Sequence, residues 1–159
     1  MIRKAKLTDI RRLLRIYEGA RAFMRRNGNM TQWNGSYPDE QTLTADVANG
    51  TLYVAEDSGH IYGCFALIGG EDPTYGYIDG NWLSDAPYGT LHRVASDGTK
   101  RRVFAECVKF AEKKYDHLRV DTHEDNKPMQ QAILREGFSF VGIIYLADGA
   151  PRRAYERIK

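Results

Sequence analysis

The second half of the chain contains a strand, helix, strand, helix pattern that restricts the fold more than any other feature. Residues 90–95 form a compact apolar strand pattern, and apolar residues then recur with helical spacing from Val103 to about Lys114. A second strand pattern follows at 118–122, and a second helix begins near Pro128. Two strands joined through a helix pair in parallel by a right-handed crossover. This half therefore predicts an α/β fold.

The remaining segments add strands on both sides of this unit and two helices before it. Residues 69–89 have poor periodicity and suggest only a strand edge around 75–78. We expect an α/β fold with a mixed central β-sheet of about seven strands flanked by about four helices, in one domain spanning 1–159. The other predicted elements are strands at 2–4, 51–56, 61–68, 138–146 and 154–158, a helix capped by Thr8 that extends to Met24, and a short helix whose first turn contains Pro38.

Composition and charge exclude several classes of protein. A formal net charge of +2 is too small to predict a nucleic-acid partner, and the pairs Arg11-Arg12 and Arg25-Arg26 are typical of a solvated helix face. No apolar run approaches the ~20 residues of a membrane span, and the start of the chain lacks a secretory signal. Cys64 and Cys107 lie in apolar patterns without metal-ligand spacing, which predicts reduced core residues and no metal. We therefore expect a cytoplasmic protein with no membrane partner.

The order of elements resembles the GCN5-related N-acetyltransferase (GNAT) family from end to end. The most specific match is LHRVASDGTKRRVFAECVKFAEK followed by LRVDTHEDNKPMQQAILREGFSFVGIIYLADGAPRRAYERI. This resemblance implies an acyltransferase that uses acetyl-CoA as co-substrate, bound between the two central parallel strands. It also implies direct transfer of the acetyl group to an amine acceptor, without a covalent enzyme intermediate. The acceptor is expected to be a small amine, an amino-acid derivative or a peptide terminus, and the sequence leaves these alternatives open.

The loop before the first of these two helices is the predicted site for the coenzyme pyrophosphate, because a helix start offers unpaired amides and a positive dipole end. The glutamine or arginine and the two glycine-type positions of the family pattern fall on Thr99, Arg102 and Phe104, and all three residues depart from it. Arg102 and Phe104 are expected to add bulk where the family has little. The coenzyme-binding residues expected from the resemblance are Val94, Ala95, Thr99, Lys100, Arg101, Arg102, Val103, Phe104 and Asn126.

Catalysis on an amine requires a base that titrates near neutrality, which favours histidine. His92 lies on the predicted coenzyme strand, at a position where some relatives have a catalytic histidine, and is our candidate base; a structural histidine is the alternative. A backbone amide at Val94 or Ala95 would polarise the thioester carbonyl. The tyrosine that many family members use as general acid corresponds to Ile133, so Tyr145 is the proton donor by default.

The acceptor site is expected where the turn-rich segment 27–37 meets the end of the second parallel strand. The resemblance places Gln32, Trp33 and Tyr37 over the acceptor. His123 lies at the carboxyl end of the second parallel strand and could reach the same cleft, with a structural histidine as the alternative, and the pair Glu124-Asp125 mildly favours a cationic acceptor. Asn126 is expected to hold the pantetheine arm, to cap a helix, or both. Because family members are often dimers, a homodimer is one expected assembly. Two alternatives remain: a non-catalytic relative that has lost coenzyme binding or catalysis, and a nucleic-acid-associated modifier, against which the low net charge argues.

Overall fold

The computed structural model describes residues 1–159 as a single mixed sheet of eight strands with four α-helices. The α/β prediction is confirmed, with eight strands instead of about seven. The strands follow the order β1-β2-β3-β5-β6-β8-β7-β4 across the sheet. In chain order the elements are β1 (Ile2–Lys4), α1 (Ile10–Arg26), α2 (Glu40–Ala48), β2 (Leu52–Asp57), β3 (His60–Gly69), β4 (Asp79–Gly80), β5 (Gly89–Ser96), α3 (Val103–Ala111), β6 (His117–Thr122), α4 (Lys127–Arg135), β7 (Ser139–Tyr145) and β8 (Pro151–Ile158).

The sheet separates two apolar cores, because successive side chains of a strand point to opposite faces. In β2, Tyr53 packs into the core beneath α3 and α4, whereas the next residue, Val54, packs beneath α1 and α2. Cys107 and Cys64 are fully buried in these two cores, respectively, and both are free thiols. Burial raises the pKa of the Cys64 thiol to about 12, so this thiol is a packing group and not a nucleophile.

Strands β5 and β6 form the only parallel pair of the sheet, and only three residues of each strand take part in the pairing. Residues 89–91 pair with 118–120, whereas β5 continues along β3 to Ser96 and β6 continues along β8 to Thr122. Beyond Leu91 the two strands therefore separate, and a wedge opens between them towards their carboxyl ends. Ligands of open α/β sheets bind at such ends.

Two helix starts differ from the prediction. Thr8 lies in a short 3₁₀ turn, and α1 starts after Asp9, whose carboxylate accepts a hydrogen bond from the Lys6 amide. Pro38 precedes the cap of α2 instead of lying in its first turn. The capping residue is Asp39, whose carboxylate accepts from the Thr42 amide at 2.9 Å.

Two strand predictions were also wrong in position. The expected strand edge at 75–78 is absent: residues 73–75 form a 3₁₀ turn, and β4 follows at 79–80, where it pairs with β7. Strand β8 begins at Pro151, three residues before the predicted start, because Tyr145 of β7 pairs with Pro151. Proline is tolerated at the first residue of a strand. None of the helices combines the length and apolar character needed to cross a membrane.

Candidate active site

A cleft of about 670 Å³ lies at the end of β5 that diverges from β6. Its walls are formed by α1, the end of β5, the loop 97–102, the first turn of α3 and one side of α4. Val94 and Ala95 line it on the β5 side, and Asn126 lines it at the start of α4. The cleft thus collects most of the residues that the sequence assigned to the coenzyme.

The start of α3 presents a row of backbone N–H groups without acceptors. None of the amides of residues 100–104 donates a hydrogen bond within the protein, and no side chain caps this helix. The start of α4 differs, because the Asn126 carboxamide oxygen accepts from the Met129 amide at 3.2 Å. Unpaired amides and the positive end of the helix dipole bind anions, phosphates in particular.

Arg102 and Phe104 occupy the glycine-type positions of the loop without filling the cleft. Arg102 adopts the left-handed conformation that glycine favours, with φ of 60° and ψ of 36°, and its guanidinium donates to Glu136 at 3.1 Å. The Phe104 ring is only 7 % exposed and packs on Phe138, with ring centroids 6.2 Å apart. The expected bulk of Phe104 therefore lies mainly in the core beneath α3.

The cleft wall contains more basic residues than the sequence predicted. Lys100 lines the cleft, and its ammonium group is 2.9 Å from the Asp57 carboxylate on the side of β2. Arg12, treated above as part of a solvated face, lines the cleft and donates to Asp97 at 2.7 Å. The same Asp97 accepts from the Thr99 amide and hydroxyl, which closes the loop. Further basic residues of the cleft wall are Arg15, Arg26, Arg102 and Arg135.

Strand β5 contains a β-bulge where it begins to diverge from β6. Ala66 of β3 pairs with His92 and Cys64 pairs with Ala95, so Arg93 and Val94 together face one residue of β3. Arg93 has a positive φ of 51°, and its carbonyl accepts a hydrogen bond from the buried Tyr17 hydroxyl at 2.7 Å. Bulges change the direction of the backbone next to active sites, and this one includes Val94 and ends at Ala95, the two residues expected to contact a thioester.

His92 forms a hydrogen bond to a carboxylate that sequence reasoning missed. Its Nε2 lies 2.8 Å from the Asp72 carboxylate, which also accepts from the Thr74 amide at 2.8 Å and the Thr74 hydroxyl at 2.7 Å. Partial burial opposes ionisation of Asp72, but these hydrogen bonds prevail and lower its pKa to about 2. Asp72 is therefore a carboxylate at neutral pH and orients the His92 ring. No periodic pattern in 69–89 could have identified it.

The segment 27–37 is fastened to β6 and α4 through Gln32. The Gln32 side-chain oxygen accepts from Asn29 at 2.8 Å and from Asn126 at 3.0 Å. His123 joins the same network, since its Nε2 is 3.2 Å from the Thr31 hydroxyl. Asn126 thus uses one end of its carboxamide as a helix cap and the other to hold Gln32. The sequence named Gln32 and Asn126 as separate site candidates, and the structure shows that their side chains are in contact.

The remaining predicted residues lie at the edge of this region. Trp33 packs edge-on against Tyr17, with ring centroids 5.6 Å apart, and the Tyr37 hydroxyl accepts from Arg93 at 3.3 Å. Tyr145 is 41 % exposed and pairs with Tyr77 on the hairpin side. Glu124 is exposed, and its carbonyl accepts from Gln130. Ile133, at the position of the family's general acid, is fully buried.

No group of three or more histidine, cysteine or acidic side chains is arranged to hold a metal ion. The fold and site define an α/β protein with a split parallel strand pair, a helix start with free amides on one side of the split and a histidine-carboxylate pair beside it. In open α/β sheets, ligands bind at the carboxyl ends of the strands.

Comparison with solved structures identifies the family. A GNAT-family acetyltransferase from Streptococcus agalactiae is 32 % identical, with a TM-score of 0.89 over all of this chain and 95 % of the other. The chain belongs to the GNAT family of acetyltransferases. The same fold occurs in a ribosomal-protein-alanine N-acetyltransferase from Brucella melitensis, with 21 % identity and a TM-score of 0.63 over 100 % and 99 % of the two chains. No protein-family model and no curated protein sequence matches the chain.

Proposed function

We propose that the protein is an N-acetyltransferase that transfers an acetyl group from acetyl-CoA directly to an amine acceptor. The observation that supports this most strongly is the arrangement at the split of β5 and β6. The free amides of residues 100–104 lie at the start of α3, and the His92-Asp72 pair lies beside the point where the strands diverge. A structural neighbour, the NatB acetyltransferase complex, is bound to CoA and shares the fold with a TM-score of 0.66, at 10 % identity over 99 % of this chain and 98 % of the other.

The cleft fits acetyl-CoA in charge and shape. Its amide row and basic wall suit the pyrophosphate, and its volume of about 670 Å³ is within the range of cofactor sites. Residues 100–104 would hold the phosphates, Asn126 and the β5 bulge would flank the pantetheine arm, and Val94 or Ala95 would present an amide to the carbonyl. When bound, acetyl-CoA supplies an activated thioester.

His92 is the proposed base. Because its Nε2 faces the Asp72 carboxylate, Nε2 holds the proton and Nδ1 is left as the acceptor for a proton from the amine. The ionised Asp72 stabilises the imidazolium that this transfer produces. Direct attack then needs no nucleophile from the protein, and both cysteines are buried in the cores. Tyr145 remains the proposed proton donor to the thiolate.

The test combines binding with turnover. Isothermal titration should detect acetyl-CoA binding, and thiol release should depend on an added amine acceptor. His92→Ala should lower kcat by about 10²- to 10⁴-fold, as expected for loss of a general base, while leaving acetyl-CoA affinity unchanged. His60→Ala, at the exposed start of β3, is the matched control and should retain activity. Equal activity of the His92 and His60 variants would exclude His92 as the base.

A non-catalytic relative is the second candidate. It is favoured by one observation, the buried Ile133 at the position where many family members have a tyrosine acid. This candidate predicts acetyl-CoA binding without amine-dependent thiol release, or no binding at all. Amine-dependent release that His92→Ala abolishes would exclude it.

A further inference from the structure

Arg152 is a buried cation without an acidic partner. It is 6 % exposed, and no carboxylate lies within 4.0 Å of its guanidinium. Its two hydrogen bonds go to backbone carbonyls, those of Pro151 at 2.8 Å and Gln32 at 3.2 Å. A guanidinium has five N–H donors, so most of its hydrogen-bonding capacity is unused. Burying a charge is costly unless it is paired, which makes this arrangement unusual for a purely structural arginine.

The unused donors of Arg152 are not sealed inside the protein. The buried side-chain polar atoms without partners are Asn29 Oδ1 and Thr90 Oγ1, so Arg152 Nε, which has no acceptor, retains contact with solvent. Burial lowers the pKa of Arg152, whereas the charges of Asp121 and Asp148 act against this shift without forming an ion pair. The guanidinium stays charged at neutral pH. It is therefore a preformed anion site that the protein itself does not fill.

Arg152 lies on the same side of the sheet as the His92-Asp72 pair. On β8, Arg152 and Ala154 share one face, and Ala154 packs in a cluster with Tyr75. The Tyr75 hydroxyl donates to Asp121 of β6 at 2.6 Å, and its ring centroid is 6.4 Å from that of His92. Strand β6 lies between β5 and β8, and β5 diverges from β6 beyond Leu91, so the backbones at His92 and Arg152 are more than about 10 Å apart. A small molecule bridging this distance could contact both His92 and Arg152.

We propose that Arg152 binds a carboxylate of the acceptor, so that the substrates are amines that also bear a carboxylate group, such as amino acids. This inference rests on the proposed function, because it assigns the amine to His92. The guanidinium would hold the carboxylate through its free N–H groups, next to the Gln32 carbonyl that anchors the segment 27–37. The amine of the same molecule then lies towards β5. Recognition of this kind rejects analogues without the anion, since the buried charge would be left unpaired.

The experiment compares matched acceptors. Amino acids of increasing length between amine and carboxylate are assayed beside their primary carboxamides, with acetyl-CoA saturating. Wild-type protein should prefer the carboxylates by about 100-fold in kcat/KM, mainly through KM. Arg152→Gln should remove this preference while leaving turnover of the carboxamides within about threefold, and Arg152→Lys should restore part of it. Arg153→Gln is the matched control, because Arg153 lies on the opposite face and stacks on Phe140 at 4.0 Å.

The outcomes separate the two proposals. Equal use of carboxylates and carboxamides by wild-type protein would overturn the role of Arg152 and leave the transferase intact. Loss of both acceptor classes in Arg152→Gln would show that Arg152 only fastens the segment 27–37, which also overturns the inference. If no amine is acetylated, the proposed function fails. Calorimetric binding of the same amino acids to the wild-type protein but not to Arg152→Gln would then still support the carboxylate site, and equal binding would reject it.

Discussion

At Phe104 a large side chain replaces a glycine or alanine of the family pattern, yet it is buried in the core. We expect Phe104→Ala to lower the free energy of unfolding by about 3–5 kcal/mol, as for other buried phenylalanines, and not to increase acetyl-CoA affinity. Urea unfolding and calorimetry measure the two effects. Phe140→Ala is the control. Because Phe140 is 44 % exposed, this substitution should lower the free energy of unfolding by less. Tighter binding by Phe104→Ala would show that the ring does restrict the cleft.

Asp72 makes the free energy of unfolding dependent on pH in the acidic range. Its pKa is lowered from 3.8 to about 2 in the folded protein, so its contribution is present above pH 4 and is lost as the pH falls towards 2. This shift corresponds to about 2 kcal/mol. The stability difference between wild type and Asp72→Asn should therefore shrink by this amount between pH 5 and pH 2, as measured by urea unfolding. A difference that stays constant over that range would contradict the pKa assignment.

At the scale of elements, the two helices that follow the parallel strands have different starts. The start of α4 is capped by Asn126, which also holds Gln32, whereas the amides at the start of α3 are left free. One helix start is therefore used for structure and the other is available to a ligand. This division explains why the segment 27–37 depends on α4 for its position.

Gln32→Ala should release that segment from β6 and α4. Because the Gln32 side-chain oxygen accepts two short hydrogen bonds from Asn29 and Asn126, its loss should accelerate amide hydrogen exchange in residues 27–37 and raise the acceptor KM. Exchange measured by mass spectrometry tests this. Gln41→Ala, on the exposed surface of α2, is the matched control. Unchanged exchange in both variants would show that the Gln32 side chain does not hold the segment.

At the scale of the whole molecule, coenzyme binding should link α1, the sheet and both carboxyl-terminal helices. Acetyl-CoA at 100 times its Kd should raise the free energy of unfolding by about 2.7 kcal/mol, because it binds only the folded cleft. At a fixed acetyl-CoA concentration this increase in the free energy of unfolding should be smaller at high salt, since Arg15, Arg26 and Arg135 line the cleft proposed to bind the coenzyme phosphates. Pantetheine, which lacks the nucleotide phosphates, is the control ligand. Equal, salt-independent stabilisation by pantetheine would exclude the amide row as a phosphate site.

The sequence by itself determined the order of elements, the parallel pair and the family. Periodicity and turn residues are local signals, and they were sufficient to place β5, α3, β6 and α4. The roles of His92, Gln32 and Asn126 came from the family resemblance and stay predictions. Where a local signal was weak, as in residues 69–89, the prediction of a strand edge failed. A 3₁₀ turn and a two-residue strand have no repeating pattern to detect.

Only the tertiary structure decided which side chains meet at the site. Asp72 and His92 are 20 residues apart, and the Gln32 carbonyl and Arg152 are 120 residues apart. The left-handed backbone of Arg102, the burial of the Phe104 ring and the bulge at Arg93 also follow from packing across the sheet. Such contacts depend on how distant segments are brought together in the fold, and no neighbouring residues in the sequence encode them.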